Sequence, residues 1–461
     1  MIITTGNSNE LSFEEARVFV RNELARLVAA PVAAEHYPLV IRIEVPLVPF
    51  SALDWLAHQD VLPRSYWGDP EGPAEYAGVG AAWDDFARTW GDSEELWDGL
   101  DGLLSAEPEL RVCAGMCFNR VLTGAEWRSF KGIRFFIPRF EIIADGRGTR
   151  LVCNLILGEG ERLPLRHLLR ELEALRVEET VTVPRLQVVS RHSTPNFEEW
   201  SSAVAAALAD IESGVLDKAV LSRRVTINFD GPVDPVVLLR RLLEIPDGGY
   251  AFFYQFSETH AFLGVSPELL YARSGEMLSS EAVAGTRTRG DNLHEDAELG
   301  RELLGSEQDV REHRSVIGAL VAVFRQVCRS YKVEEKASVR KLARQQHLVT
   351  RISGKLAEGV TDRDLCSALH PTPAVGGSPA DKAMQFLNHV ESFDRGWFAA
   401  PVGYFQKSSA RLAVAIRSCL AAGDAVHLYS GAGIVDGSRP LAEWDEMEIK
   451  IKQYLDIFYD L

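Results

Sequence analysis

The sequence predicts an α+β protein built from antiparallel strands, with its helices gathered in separate runs. Three observations carry this reading. Strand-like segments follow one another through short turns, where a parallel sheet would alternate strand and helix. Of the 461 residues, 46% are hydrophobic and 25% charged, ordinary for a soluble globular chain and enough to build a large core. No sequence period marks a repeat array or a coiled coil. At roughly 150 residues per domain the length suggests about three domains, although one large unit can exceed that size.

Other classes fall away on composition. No stretch of about 20 apolar residues is free of charge, so no membrane span is expected. The opening residues MIITTGNSNELSFEEARVF lack a basic segment ahead of an apolar one, so no secretory signal is expected and the location is read as cytoplasmic. Basic residues number 49 against 66 acidic, a net charge of −17. That argues against nucleic acid as a partner but leaves room for a small anion held by a few cations. The six cysteines form no C-x-x-C pair. Cys113 and Cys117 come nearest, with no second His/Cys cluster, so reduced buried thiols are expected rather than a zinc site.

Residues 1–190 form one region of mixed, weakly marked structure. ELSFEEARVFVRNELARLV reads as a helix with Phe13, Ala16, Val20, Leu24 and Leu27 near one face. PLVIRIEVPLV reads as a strand and SALDWLAHQDVLPRSYWGDPEGPAEY as loop. GIRFFIPRFEIIADGRGTRLVCNLIL reads as two strands joined by a turn at Asp145–Gly146. No chemistry is legible in this half. Residues 191–461 are more sharply marked. Asn196 with Glu199 makes a capping-box pattern, Trp200, Val204, Leu208 and Ile211 recur at helical spacing, and Gly214 is a stop. AVLSRRVTINF reads as a strand. Several strands follow, with turns at Glu258–Thr259 and Gly275, and then a long acidic helix region from about Glu295 to Tyr331. WFAAPVGYF, RLAVAIRSCL and AVHLYSGAGIV read as strands, and RPLAEWDEMEIKIKQYLDIF as a closing helix.

Within this second region several residues suit acid–base or metal chemistry, though each has a plainer explanation. Asp309 and Glu312 share one helix face, and Glu443, Glu446 and Lys450 share another. Two such carboxylate pairs suit a hard cation such as Mg²⁺, which takes oxygen ligands and keeps waters; on spacing alone, solvated helix faces with Glu–Lys pairs are the preferred reading. Lys218 enters a strand among apolar neighbours, where a desolvated amine can act as a base; a strand-edge lysine is the plainer reading. Glu268, between a proline and an apolar run, can stay protonated and act as an acid. Glu281 is a second carboxyl just ahead of Gly285 and Thr286, which can offer donors to an anion. ALHPTPAVGGSP is a rigid, shaped loop. The glycines Gly431, Gly433 and Gly437 imitate a dinucleotide loop, but Asp436 stands where the last glycine should be. His347 and His370 are lone histidines that read as hydrogen-bonded core residues.

Taken in order, DKAVLSRR, GVSPELL, SEAVAGTRTRG, DVREH, QQHLVTRISGKL, ALHPTPAVGG, AVAIRS, SGAGIV and EWDEMEIK resemble the chorismate-utilising enzymes, a family of isochorismate, salicylate and anthranilate synthases. The resemblance covers about residue 196 to the end. It implies the anthranilate-synthase-like chorismate-binding fold, two large antiparallel sheets packed together with helices outside, with residues 1–190 as the variable half. It implies Lys218 as the base that activates water and Glu268 as the acid that protonates the leaving hydroxyl. Glu312 and Glu446 are implied as Mg²⁺ ligands, with Asp309 and Glu443 as outer-shell partners. Gly285, Thr286, His347, Ala374, Arg417, Gly431 and Lys450 are implied as substrate-binding. Ala374 stands where lyase and aminating relatives more often carry threonine, which favours an isochorismate synthase serving menaquinone or siderophore biosynthesis. A salicylate synthase, or an aminating relative such as anthranilate synthase component I, is the alternative. A monomer without a glutaminase subunit is expected.

Overall fold

The computed structural model describes residues 1–4, 10–29, 37–72, 74–161, 163–177, 185–245, 248–342 and 345–458. Its 21 strands, among the described residues, belong to one hydrogen-bonded network. The network divides at the strand Ile133–Asp145. The first part of that strand pairs with Val112–Met116, matching Phe136 with Cys113. Its second part pairs with Gly148–Leu157, matching Phe140 with Cys153. Pro138, which has no N–H to donate, stands between the two parts.

Two large sheets leave this shared strand. The first runs from Leu39–Leu47 and Gly148–Leu157 through Glu75–Ala87, Arg64–Gly68, Tyr250–Gln255, His260–Ser266, Ser418–Ala422 and Ala425–Ile434 to Lys218–Phe229. The second runs from Val112–Met116 through Pro401–Phe405, Ser409–Val414, Leu269–Ser274 and Met277–Thr288 to Gln345–Leu356. Every pairing among the described strands is antiparallel except Ile2–Thr4 with Leu39–Leu47. The expected α+β class and antiparallel sheets are what the chain adopts.

The period-2 alternation of the strands sorts side chains into two cores. On Tyr250–Gln255, Phe252 and Tyr254 enter the core between the sheets, while Ala251 and Phe253 enter a second core under the helices. Between the sheets, Trp127, Phe130, Phe262 and Trp397 pack edge to face, and Tyr254 Oη donates to Gly403 O at 3.0 Å. Gly115 has no alternative there, because a Cβ would lie 1.9 Å from the Trp397 ring. The second core is closed by the helices Phe13–Ala29, Leu165–Ala174, Pro235–Leu243 and Pro440–Phe458. Phe13, Ala16, Val20, Leu24 and Leu27 are the buried residues of the first of these, as their spacing predicts.

Three local expectations need correction. The segment read as loop after residue 51 holds the helix Ala52–Ala57, capped by Ser51, and the buried strand Arg64–Gly68. The acidic helix region is two helices, Leu293–Gly305 and Glu307–Val327, because Ser306 turns extended and its Oγ caps the second by accepting from Asp309 N. Tyr331 lies beyond them in the strand Cys328–Val333. The hairpin turn is Gly146–Arg147, since Asp145 and Gly148 already pair. Both sheets draw on residues either side of position 190: Arg64–Gly68 pairs with Tyr250–Gln255, and Val112–Met116 with Pro401–Phe405. Among the described residues no helix is long and apolar enough to cross a membrane.

Candidate active site

The chain passes between the two sheets at adjacent points, and the candidate site lies there. His260–Ser266 in the first sheet leads through Pro267 and Glu268 into Leu269–Ser274 in the second. Ser409–Val414 in the second leads back through Ala415, Ile416 and Arg417 into Ser418–Ala422 in the first. Val414 N donates to Glu268 O at 3.1 Å and Val265 N donates to Arg417 O at 3.2 Å, which ties the two crossings together. Beside them opens a cleft of about 480 Å³. Lys218, Glu268, Gly285, Thr286, Asp309, Glu312, His347, Ala374, Arg417, Gly431, Glu443, Glu446 and Lys450 all line it. These sequence-derived candidates therefore converge on one cavity, with the base candidate at the start of a strand and the acid candidate in a crossing between strands.

Lys218 opens the strand Lys218–Phe229 and is 8% exposed. Its Nζ donates to Glu312 Oε1 at 2.7 Å. Gly433 on the neighbouring strand makes room for it, since a Cβ there would lie 2.7 Å from Lys218 Cε. Glu268 is 5% exposed, and no side chain among the described residues hydrogen-bonds its carboxyl. Burial raises its pKa to about 7, opposed by Lys218 and Arg340 and assisted by the charge of Glu281.

A carboxylate rim faces them. Glu312 comes from the helix Glu307–Val327, and Glu443 and Glu446 from Pro440–Phe458. Lys450 Nζ holds Glu446 Oε1 at 2.7 Å and thereby lowers the Glu446 pKa. Glu443 is raised, first by burial and also by the charges of Glu446 and Glu312, so these carboxyls repel one another. Asp309 sits against Arg287 at 2.6 Å. Among the described residues no group of three or more His, Cys, Asp or Glu side chains is close enough to hold a metal ion unaided.

Anion-binding groups occupy the rest of the wall. Arg417 has a left-handed φ of 52°, a strained state for a non-glycine residue. It is fixed by Tyr454 Oη donating to its carbonyl and by its guanidinium donating to Gln345 Oε1 and to Lys450 O. Lys450 Nζ also donates to Gly431 O at 2.9 Å. His347 Nδ1 donates to Gly285 O at 3.3 Å and lies 3.1 Å from Thr286 Oγ1. Burial and the nearby Arg417 push this histidine down to about 3, so it is neutral. The loop carrying Ala374 is held by Arg395, whose Nη1 donates to Val375 O at 2.9 Å and whose Nη2 donates to Val220 O at 2.6 Å.

Glu281 falls outside the cleft, and so does His370, which the sequence reads as a core histidine. Glu281 is clamped by Arg340 at 2.7 Å and Arg351 at 3.1 Å and lines a different depression. His370 stacks on Trp90 with centroids 5.4 Å apart, and its Nε2 lies 3.1 Å from Phe118 O, as a core histidine does. Ser222, Arg287 and Arg395 line the cleft without having been singled out in the sequence. Ser222 and Arg287 stand within the quoted segments DKAVLSRR and SEAVAGTRTRG, but residue type alone does not mark them out there.

A buried acid, an amine and a cationic wall on one cavity define a site for acid–base chemistry on a small anion. A model of the chorismate-binding enzymes matches residues 26–458, and the chain belongs to that family. Isochorismate synthase 2, chloroplastic, of Arabidopsis thaliana is 32% identical over 450 residues, covering 90% of this chain and 80% of the relative. Isochorismate synthase MenF of Bacillus subtilis is 31% identical over 437 residues, covering 88% and 90%. The solved structure of MenF, the menaquinone-specific isochorismate synthase from Escherichia coli, matches with a TM-score of 0.84 at 26% identity, covering 97% of this chain and all of that one.

Proposed function

We propose that this protein is an isochorismate synthase, an isomerase that adds water at C2 of chorismate while the C4 hydroxyl departs. The observation that carries the reading is the opening of Lys218, at the start of a strand, and Glu268, in a crossing between the sheets, onto one cleft. Lys218 takes a proton from the attacking water. Glu268 gives a proton to the C4 hydroxyl, which leaves as water, so one water enters and one departs. A carboxyl with a pKa of about 7 is partly protonated at neutral pH, which suits a proton donor. Arg417 and Lys450, with Thr286 and the backbone at Gly285 and Gly431, hold the two substrate carboxylates and fix the ring between acid and base. The neutral His347 packs beside the ring.

Glu312 and Glu446 would hold a Mg²⁺ ion, with Glu443 and Asp309 outside them. Two features support the fit: the donors are all hard oxygens, and the Glu443 carboxyl is raised by burial and then by the charges of Glu446 and Glu312. Such an ion would supply positive charge and orientation to a substrate carboxylate. The reading carries with it a cytoplasmic monomer that needs no glutaminase partner, its product serving menaquinone or siderophore assembly. Incubation of purified protein with chorismate and Mg²⁺, with products separated by chromatography and identified by NMR, is the test. Isochorismate is the expected product; salicylate with pyruvate, or unchanged chorismate, rejects the reading.

A further inference from the structure

Ser222 lies on the strand Lys218–Phe229 and lines the cleft together with Lys218 and Val220, because residues two apart on a strand share a face. It is 2% exposed. Its backbone N–H is satisfied by Glu391 Oε1 at 2.9 Å. Its hydroxyl is not: Oγ is buried and has no hydrogen-bond partner among the described residues. Buried hydroxyls are nearly always paired, because leaving one unpaired is costly. In the wall of a binding cleft, the missing partner is a ligand atom.

The neighbouring strand shows where that atom lies. Gly431 stands opposite Ser222 in the ladder, and a Cβ there would come 3.3 Å from Ser222 Oγ. Gly431 is not among the glycines with left-handed φ, so its backbone does not demand glycine. A side chain at this position would crowd the hydroxyl and Leu221 O, at 3.3 and 3.2 Å, so glycine leaves the hydroxyl unobstructed. The carbonyl of Gly431 accepts from Lys450 Nζ at 2.9 Å, so a hydroxyl and an ammonium flank the same point of the ladder.

We infer that Ser222 Oγ is a further substrate contact, donating a hydrogen bond to the carboxylate that Lys450 neutralises. A hydroxyl–carboxylate bond is charge-assisted and directional, so it adds orientation to the charge that Lys450 supplies. The hydroxyl is remote from proton transfer in this scheme, and its contribution is made equally in ground and transition states.

The inference rests on the chorismate reading, and one experiment separates the two. Wild type and Ser222→Ala are assayed side by side for isochorismate formation with Mg²⁺. The expected result is a KM for chorismate raised on the order of 10-fold or more, with kcat within about 3-fold. The pH profile should stay in place, and the Tm of the ligand-free protein should not fall, because alanine removes a buried hydroxyl that has no partner among the described residues. Ser222→Cys, similar in size and a weak donor, gives an intermediate KM and guards against a folding defect in the alanine variant. An unchanged KM in Ser222→Ala overturns the assignment of Ser222 while leaving the enzyme reading intact. A wild type that makes no isochorismate overturns both.

Discussion

Glu268 has the most demanding environment in the cleft. Lys218 and Arg340 pull its pKa down, the Glu281 charge pushes it up, and burial outweighs them, leaving it at about 7 against 4.5 for a free carboxyl. A raised folded-state value means the native protein binds the extra proton. The associated stability is complete below about pH 4.5 and is lost as pH rises through about 7. Glu268→Gln removes that loss. It should therefore be more stable than wild type at pH 8, on the order of 3 kcal/mol, and by no more than about 1 kcal/mol at pH 5, as thermal melts at the two pH values will read. The same variant should lose about 10²–10⁴-fold in kcat. In wild type, kcat/KM should fall as pH rises past about 7. The corresponding limb of kcat should lie at higher pH, because a bound dianion further disfavours ionisation of the carboxyl. Lys218, Glu268, Glu312 and Glu446 each have a plainer reading alone, and they are legible only through the order and spacing of the family segments that hold them. Ser222 is not, because its meaning depends on Gly431, far away in the chain and adjacent only across the ladder.

At the scale of elements, the helix Pro440–Phe458 concentrates much of the site. Glu443, Glu446, Lys450 and Tyr454 recur three or four residues apart and share one face. Lys450 neutralises Glu446, and Tyr454 and the Lys450 carbonyl fix Arg417. Removing one carboxylate should therefore weaken metal binding more than folding. Glu446→Gln is expected to need on the order of 10-fold more Mg²⁺ for half-maximal activity, with an unchanged melt in metal-free buffer; an unaltered Mg²⁺ titration would count against Glu446 as a ligand. Length decides which elements can be read in advance. Phe13–Ala29 spans several turns, so its apolar period is visible. Ala52–Ala57 spans fewer than two turns, and its tryptophan and leucines look like any apolar patch. The break at Ser306 is hidden because acidic, helix-favouring residues continue on both sides.

At the scale of the molecule, the site depends on both sheets at once. The Lys218 strand lies toward the end of one ladder, between Ala425–Ile434 and Val188–Thr194, Met277–Thr288 and Gln345–Leu356 lie toward the end of the other, and Glu268 and Arg417 occupy the crossings between them. The antiparallel class was legible from short turns between strands, but the order of strands was not. Local pattern says which face of a strand is buried, whereas the pairing of Val112–Met116 with Pro401–Phe405 is decided by contacts between distant segments. Because residues 1–190 and 191–461 share both sheets, heating should produce one cooperative unfolding transition, seen at the same temperature by tryptophan fluorescence and far-UV circular dichroism. Two separated transitions would show that the halves hold together independently.

The shared strand Ile133–Asp145 also bears on how the protein is made. Its neighbour Val112–Met116 leaves the ribosome early but pairs with Pro401–Phe405, which is synthesised near the end. Arg64–Gly68 waits in the same way for Tyr250–Gln255. The nascent chain therefore carries unpaired, strongly apolar strand edges through most of translation, the state in which chains stick to one another. Cells producing this protein quickly will depend on chaperones that cover those edges until the closing segments arrive.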